Sequence, residues 1–330
     1  MIQVSKSGWL ARSEQANSQG KSLRAIASIP GSLPPASLLI FGMITVQLGA
    51  ALAKNLFGAL GPAGVVFLRV GFAALALLVM WRPWRALGRR GATMAASGVT
   101  SAPGSRRSAY LAVVLFGLVL ALMNLTFYSS IARIPLGVAV TIEFVGPLGV
   151  AVAGSRRALD ILWVVLAAGG IVLLAPLGIL GATPLDPVGL LLALGAGVLW
   201  AMYILLSARV GRAFSGGASL AIAMAIGAVV LLPIGVAQAG SALLDPSLLL
   251  LGAGVALLSS VIPYSLELVA LRRMSTSAFG VFMSLEPAIA ALVGWLVLRE
   301  ALELRAILAL ALVTTAAIGA TRWGAKAHRS

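Results

Sequence analysis

Residues 141–152 read TIEFVGPLGVAV, and residues 282–293 read FMSLEPAIAALV. Each stretch sets a glutamate next to a proline inside a long apolar run. Glu143 is near the middle of the run 135–153 and Glu286 near the middle of 276–298. An ionised carboxylate at the centre of a bilayer costs about 2.5–3.5 kcal/mol by insertion scales. Working outward, apolar runs also occupy about 36–53, 64–81, 109–131, 160–180, 187–207, 218–239, 247–271 and 304–321. A spanning helix needs about 20 mostly apolar residues, so ten crossings nearly exhaust the 330 residues. The runs are continuous and rich in Leu, Ala, Val and Gly, without the alternation of a β-barrel. The expected fold class is therefore an all-α polytopic membrane protein with ten transmembrane helices.

Composition agrees with this reading. Hydrophobic residues make up 60% of the chain and charged residues 10%, against roughly 25% charged in an ordinary soluble domain. The net charge of +15 reflects topology rather than a nucleic-acid surface, because the basic residues are scattered over many loops. With ten spans, one side of the membrane collects 19 Lys and Arg and the other collects Lys54, Arg133, Arg299 and Arg305, with Arg69 left inside the second span. The rich side is cytoplasmic by the positive-inside rule, which places both termini in the cytoplasm. Lys54 reads as an interfacial anchor. The first run is too long for a signal peptide and lacks an Ala-x-Ala cleavage pattern, so it reads as a retained helix.

The chain also repeats. A shift of 140 residues sets Arg133-Ile134 on Arg273-Met274, Val138 on Ala278 and Pro147 on Pro287, while a shift of 153 sets Gly42 on Gly195 and Gln47 on Trp200. The expected organisation is a polar cytoplasmic segment 1–35, a first five-helix repeat 36–180 with a flexible cytoplasmic loop 82–108, a second repeat 187–321 and a tail 322–330. Five helices per half is an odd number, so the second half enters the membrane from the opposite face. Inverted repeats of this kind recur in secondary transporters, whose sites lie near the midplane between the halves.

Candidate site residues follow from the cost of polarity in hydrocarbon. Glu143 and Glu286 lead, and the backbone beside Pro147 and Pro287 is expected to kink or open. Glu267 lies nearer the cytoplasmic end of its span; pairing with Arg272 or Arg273, snorkelling or a site role are all open to it. Arg69 is a candidate for a bound carboxylate or a structural ion pair. Gln47, Asn124, Tyr128, Trp200, Tyr203 and Tyr264 are polar or aromatic residues within spans, and Asn124 and Tyr264 are equivalent under the 140-residue shift. No Cys is present, the one His, His328, is in the tail, and no P-loop, H-E-x-x-H or G-x-S-x-G motif occurs. No cofactor, metal or nucleic acid is expected, and pumping would draw on a gradient.

Five stretches carry a resemblance: VQLGAALAKNLF (46–57), ARIPLGVAVTIEFVGPLGVAVAGSRR (132–157), LDILWVVLAAGG (159–170), LGAGVLWAMYIL (194–205) and VIPYSLELVALRRMSTSAFGVFMSLEPAIAALVGW (261–295). In this order they resemble the EamA branch of the drug/metabolite transporter superfamily, and within it the members that export threonine and homoserine. The resemblance implies two inverted five-helix repeats and a cavity lined mainly by spans 1, 3, 4, 6, 8 and 9, on which Glu143, Glu267 and Glu286 fall. It implies efflux of threonine- and homoserine-like amino acids across the bacterial inner membrane, driven by proton antiport. The alternatives are an EamA-type carrier of purines, aromatic amino acids or cationic drugs and, from another class, a membrane sensor or enzyme that moves nothing.

Overall fold

A computed structural model describes residues 33–81, 103–153, 158–174, 185–213, 218–271, 273–274 and 276–324. The segment 1–32, most of the basic loop expected at 82–108, and the tail with His328 lie outside the described residues. Among the described residues every regular element is helical. In chain order these are α1 (Pro35–Trp81), α2 (Pro103–Ile131), α3 (Leu136–Glu143), α4 (Val145–Ala153), α5 (Ala158–Leu174), α6 (Pro187–Ala213) and α7 (Ala218–Ala239). A 3-10 turn, Gly240–Leu244, leads to α8 (Pro246–Ala256), a π-turn (Leu257–Val261), α9 (Ile262–Leu271), α10 (Thr276–Met283), α11 (Glu286–Leu298) and α12 (Leu304–Gly324).

Among the described residues six helical stretches are long and apolar enough to cross a membrane: Pro35–Trp81, Leu111–Ile131, Pro187–Ser207, Ala218–Leu244, Pro246–Glu267 and Phe279–Leu298. Leu136–Val150, Ile161–Leu174 and Leu304–Gly319 are shorter apolar helices. Of the ten sequence-derived spans, the first two lie in α1, and the fourth, fifth and tenth coincide with the shorter apolar helices; residues 175–180 of the fifth lie outside the described residues.

Helix α1 has 47 residues, which at 1.5 Å per residue would extend roughly 70 Å, more than twice the hydrocarbon thickness. It breaks at Gly61, whose φ of 66° and ψ of 163° are non-helical, a left-handed φ that glycine adopts without a Cβ penalty. Pro62 follows, and Ala63 N–H, left without a helical acceptor, donates to Gln238 Oε1 of α7 at 2.6 Å. Two limbs result, residues 35–60 and 62–81. Together they form the hub of the molecule, packing on α7, α8, the π-turn, α9 and α11. Elsewhere α2 packs on α6 and α7, α12 on α5, α11 on α3, and α4 on α6.

The outer surface is apolar. Leu250 and Val229 are 75% and 71% exposed, an arrangement that lipid tolerates and water does not. Helix starts facing the aqueous edge carry acidic caps. Asp245 accepts from Ser247 N at 2.8 Å ahead of α8, and Asp186 accepts from Arg133 at 3.0 Å and from Val188 N at 2.9 Å ahead of α6. The Arg133 hydrogen bond and then the Val188 amide hold the Asp186 carboxyl below its ordinary range.

Apolar burial drives no association between helices in lipid, so close backbone approach must carry the packing. The tightest crossing joins α4 to α6: a Cβ on Gly146 would collide with the Gly197 carbonyl, and a Cβ on Gly197 would come within 2.7 Å of the Glu143 carbonyl. Gly149, three residues from Gly146, has nothing within 4 Å of such a Cβ. Gly146→Ala is therefore expected to destabilise the protein by about 1–3 kcal/mol through overpacking, and Gly149→Ala to leave it within about 0.5 kcal/mol of wild type. Thermal unfolding of both variants in detergent checks this pair.

Candidate functional site

Three prolines shape the centre of the protein. In an α-helix the carbonyl of residue i accepts from N–H of residue i+4, and proline has no N–H to give. Pro147 therefore leaves the Glu143 carbonyl open, and α3 ends at Glu143. Pro287 does the same for Met283, where α10 ends. Pro263 does it for Ser259, inside the π-turn. Each break is shallow: Phe144 keeps φ −64° and ψ −13°, and Leu285 keeps φ −82° and ψ −10°.

These openings border one cavity of about 730 Å³. Glu143, Glu267 and Glu286 line it, as do Arg69, Gln47 and Asn124. Trp200, Tyr203 and Tyr264 add an aromatic wall, and Pro147 and Tyr128 also face it. Pro287 is buried and is not among the lining residues. Both limbs of α1 contribute, Gln47 from the first and Arg69 from the second; α2 supplies Asn124, α6 Trp200 and Tyr203, and α9 Tyr264 and Glu267.

The two leading carboxylates differ in setting. Glu286 sits in the first turn of α11, where the N-terminal partial charge of a helix favours an anion. Its Oε1 accepts from Gln47 Nε2 at 3.3 Å, while Oε2 is buried without a partner. Glu143 closes the C-terminus of α3, where that partial charge is negative, and it makes no hydrogen bond or ion pair among the described residues. It is within electrostatic reach of both Glu286 and Arg69.

Arg69 is 8% exposed. Its Nε donates to Ser260 Oγ at 3.1 Å and its Nη2 to the Ser259 carbonyl at 3.0 Å. The guanidinium carbon lies 5.1 Å from the centre of the Tyr128 ring, within range of a cation–π contact. Among the described residues Arg69 makes no salt bridge. Asn124 turns its amide back to the Leu120 carbonyl at 2.8 Å. Across the cavity Phe144 meets Trp200 edge-to-face with centroids 5.5 Å apart. Arg272 lies outside the described residues, and Arg273 donates to the Leu33 carbonyl at 3.0 Å.

Two features escaped the sequence reading. One is the Ser259–Ser260 pair, whose only signal is the proline four residues after Ser259. The other is Lys54, expected as an interfacial anchor. Its ammonium lies 2.6 Å from Glu300 Oε1 and donates to the Ile134 carbonyl at 3.2 Å, while Glu300 Oε2 accepts from Leu136 N at 2.8 Å. The pair joins α1 and the turn before α3 to the segment after α11. The sequence offers no signal for the pair, whose members are 246 residues apart.

Comparison with known proteins places these features in context. Residues 187–322 match the family model of the EamA-like transporter family. The chain is 44% identical over 299 residues to the threonine/homoserine exporter RhtA of Salmonella typhimurium strain LT2, covering 89% of this chain and 95% of that protein. It is 42% identical, with the same coverage, to the threonine/homoserine exporter RhtA of Escherichia coli strain K12. A solved crystal structure at 19% sequence identity superposes with a TM-score of 0.55 over 88% of this chain and 98% of that one. At that identity the likeness shows the fold alone.

Lys54 and Glu300 are 25% and 13% exposed, so removing one charge leaves the other largely desolvated. Lys54→Met is expected to cost roughly 1–3 kcal/mol, the penalty of an unsatisfied buried charge. Adding Glu300→Gln, which keeps an acceptor for Leu136 N–H, should recover most of the loss. Melting temperatures of the single and double variants measure the coupling.

Proposed function

The chain belongs to the EamA-like transporter family, and on that footing we propose that it is an inner-membrane exporter of threonine, homoserine and α-amino acids of similar size. The observation that carries this reading is the cavity's charge pattern. A zwitterion needs an anionic and a cationic partner in one enclosure. Arg69 presents a guanidinium that no carboxylate of the described chain pairs, and Glu143 and Glu286 present carboxylates that no cation pairs. The volume of about 730 Å³ falls in the range of small-molecule sites, roughly 300–1,000 Å³. The substrate's carboxylate binds Arg69 and its ammonium binds Glu143 or Glu286, with the hydroxyl turned toward Tyr203, Tyr264 or Asn124.

Transport proceeds by alternating access in a ten-helix body of two inverted five-helix repeats, 36–180 and 187–321, with both termini cytoplasmic. The family match over 187–322, which begins and ends with the second repeat, supports this division. Val150, Ser207 and Ala317 carry the cavity toward the C-terminal ends of α4, α6 and α12. The Lys54–Glu300 pair lies at the opposite edge. That disposition corresponds to a state open to the cytoplasm and closed to the periplasm. Export then requires the Lys54–Glu300 contact to part while the cytoplasmic ends converge.

Coupling to protons follows from Glu143. An isolated carboxylate in a low-dielectric cavity needs a neutralising partner. A proton and the substrate's ammonium compete for that role, so loading one expels the other. Glu286, held by Gln47 and the α11 terminus, anchors the ammonium in the alternate state. The Phe144–Trp200 pair favours one further class, aromatic amino acids, which stack on such walls.

The deciding measurement is efflux of labelled threonine and homoserine from proteoliposomes, with and without an imposed pH gradient. Gradient-dependent flux is expected, competed by unlabelled threonine, with Glu143→Gln and Glu286→Gln each lowering it at least about tenfold, as loss of a charge-assisted contact would. Wild-type rates in both variants would overturn the coupling scheme. Flux of another metabolite without threonine would overturn the substrate. Because the chain contains no cysteine, a single Cys at Ser207 provides a sidedness test: a membrane-impermeant thiol reagent should label it from the cytoplasmic face only.

A further inference from the structure

The sequence SSVIP, residues 259–263, sets two hydroxyls ahead of a proline, and the fold converts this into a grip on Arg69. The turn Leu257–Val261 is π-helical, with Ile262 N–H bonded back to the Leu257 carbonyl. A π-turn adds a residue to the helical circuit and displaces neighbouring carbonyls, and such turns are frequent at functional positions. Pro263 cannot donate to the Ser259 carbonyl, so that carbonyl is available to Arg69 Nη2 at 3.0 Å. Ser260 Oγ, on a residue with no exposed surface, accepts from Arg69 Nε at 3.1 Å.

Nε and Nη2 form one edge of the guanidinium. With that edge held and the face covered by Tyr128, the remaining donors are those of Nη1 and the second hydrogen of Nη2. These two nitrogens form the other edge of the fork, whose spacing matches a carboxylate bidentately. Tyr128 Oη is buried without a partner and Tyr128 borders the same cavity, which adds a second polar atom on this side. A desolvated cation normally has an anion beside it; among the described residues Arg69 makes no salt bridge, its direct contacts being neutral acceptors and a ring, and Glu143 lies within electrostatic reach.

We propose that Ser260, acting with the Ser259 carbonyl of the π-turn, is the positioning residue that fixes Arg69 as a carboxylate-selective fork and so makes the cavity discriminate α-amino acids from the corresponding amino alcohols. The inference rests on the reading of the cavity as an amino-acid site and names the part of that site which reads the carboxylate. Ser260 itself touches no substrate; it sets the plane of the guanidinium. Gly49 completes the arrangement, because a Cβ there would collide with Ser259 Oγ and come within 2.9 Å of Ser259 N, so α1 can lie against the π-turn only without one.

The test is competition of labelled L-threonine uptake in proteoliposomes by unlabelled L-threonine and by L-threoninol, which keeps the ammonium and hydroxyl but has no carboxylate. Wild type should prefer threonine. Ser260→Ala should lower the threonine-to-threoninol preference about tenfold, the scale of one hydrogen bond to a charged group, and Ser260→Thr should restore it. Arg69→Lys, which keeps the charge and removes the fork, should lower the preference in the same way. If Ser260→Ala weakens both compounds equally, its role is structural and the proposal fails; an unchanged ratio in Ser260→Ala or in Arg69→Lys overturns it as well. If wild type handles neither compound, the amino-acid reading fails instead, an outcome distinct from the other two.

Discussion

A backbone carbonyl in hydrocarbon must have a hydrogen-bond donor, and proline withholds one. That constraint organises the centre of this protein. Pro147, Pro263 and Pro287 each free a carbonyl four residues upstream, at Glu143, Ser259 and Met283. Irregular backbone at membrane depth is tolerated only where protein covers it or where it lines a polar cavity. The three openings therefore cannot face lipid, and all three adjoin the cavity. Two of the freed carbonyls belong to residues that place charge at the cavity: Glu143 carries both an open carbonyl and a carboxylate, and Ser259 carries the carbonyl that accepts from Arg69. The proline positions thus decide where the helices divide and, through that, where charge can be placed at depth.

Holding such a centre together falls to small residues rather than to apolar burial. Gly49 against Ser259, Gly146 against Gly197, and Gly64 against Ala239 bring backbones close enough for dispersion to act at short range. Helix α1 profits most, since its two limbs touch elements from both ends of the chain. Its division at Gly61 lets one continuous helical stretch present Gln47 and Arg69 to the same cavity from two directions. Gln238 supplies the acceptor that the second limb's N-terminus needs. Without the turn at Gly61, residues 22 apart on a straight helix would be separated by about 33 Å and could not line one pocket of this size.

Much of the fold was legible from hydrophobic runs alone, because a bilayer imposes a coarse and strong rule on composition. The helical class and the positions of the apolar segments follow from that rule. The sequence places two spans, 36–53 and 64–81, where α1 runs, and the non-helical Gly61 divides α1 between them. The run 135–153 is occupied by α3 and α4 together, which divide at Phe144. Among site residues, the carboxylates announced themselves by their cost in hydrocarbon. Ser259 and Ser260 did not, because a hydroxyl in a span is inexpensive and a π-turn has no periodic signature. The Lys54–Glu300 pair was hidden for a different reason: its members are 246 residues apart, and each has a plausible local explanation at the membrane edge.

Glu143, Glu267 and Glu286 face one guanidinium, so full ionisation would leave a net charge of −2 in a low-dielectric enclosure, where repulsion is poorly screened. A neutral zwitterion cannot correct that imbalance, because it brings equal charges of both signs. Protons can. If the cavity is to be electroneutral with substrate bound, two of the carboxyls must carry a proton, and if it is to be electroneutral when empty the same number must. If, on the proposed exchange, the ammonium of a zwitterion displaced one of those protons, the occupied cavity would hold two ionised carboxyls against one guanidinium, so the exchange would not be electroneutral within the cavity. That negative charge would face a guanidinium whose one edge is already held by Ser259 and Ser260 and within whose electrostatic reach Glu143 lies.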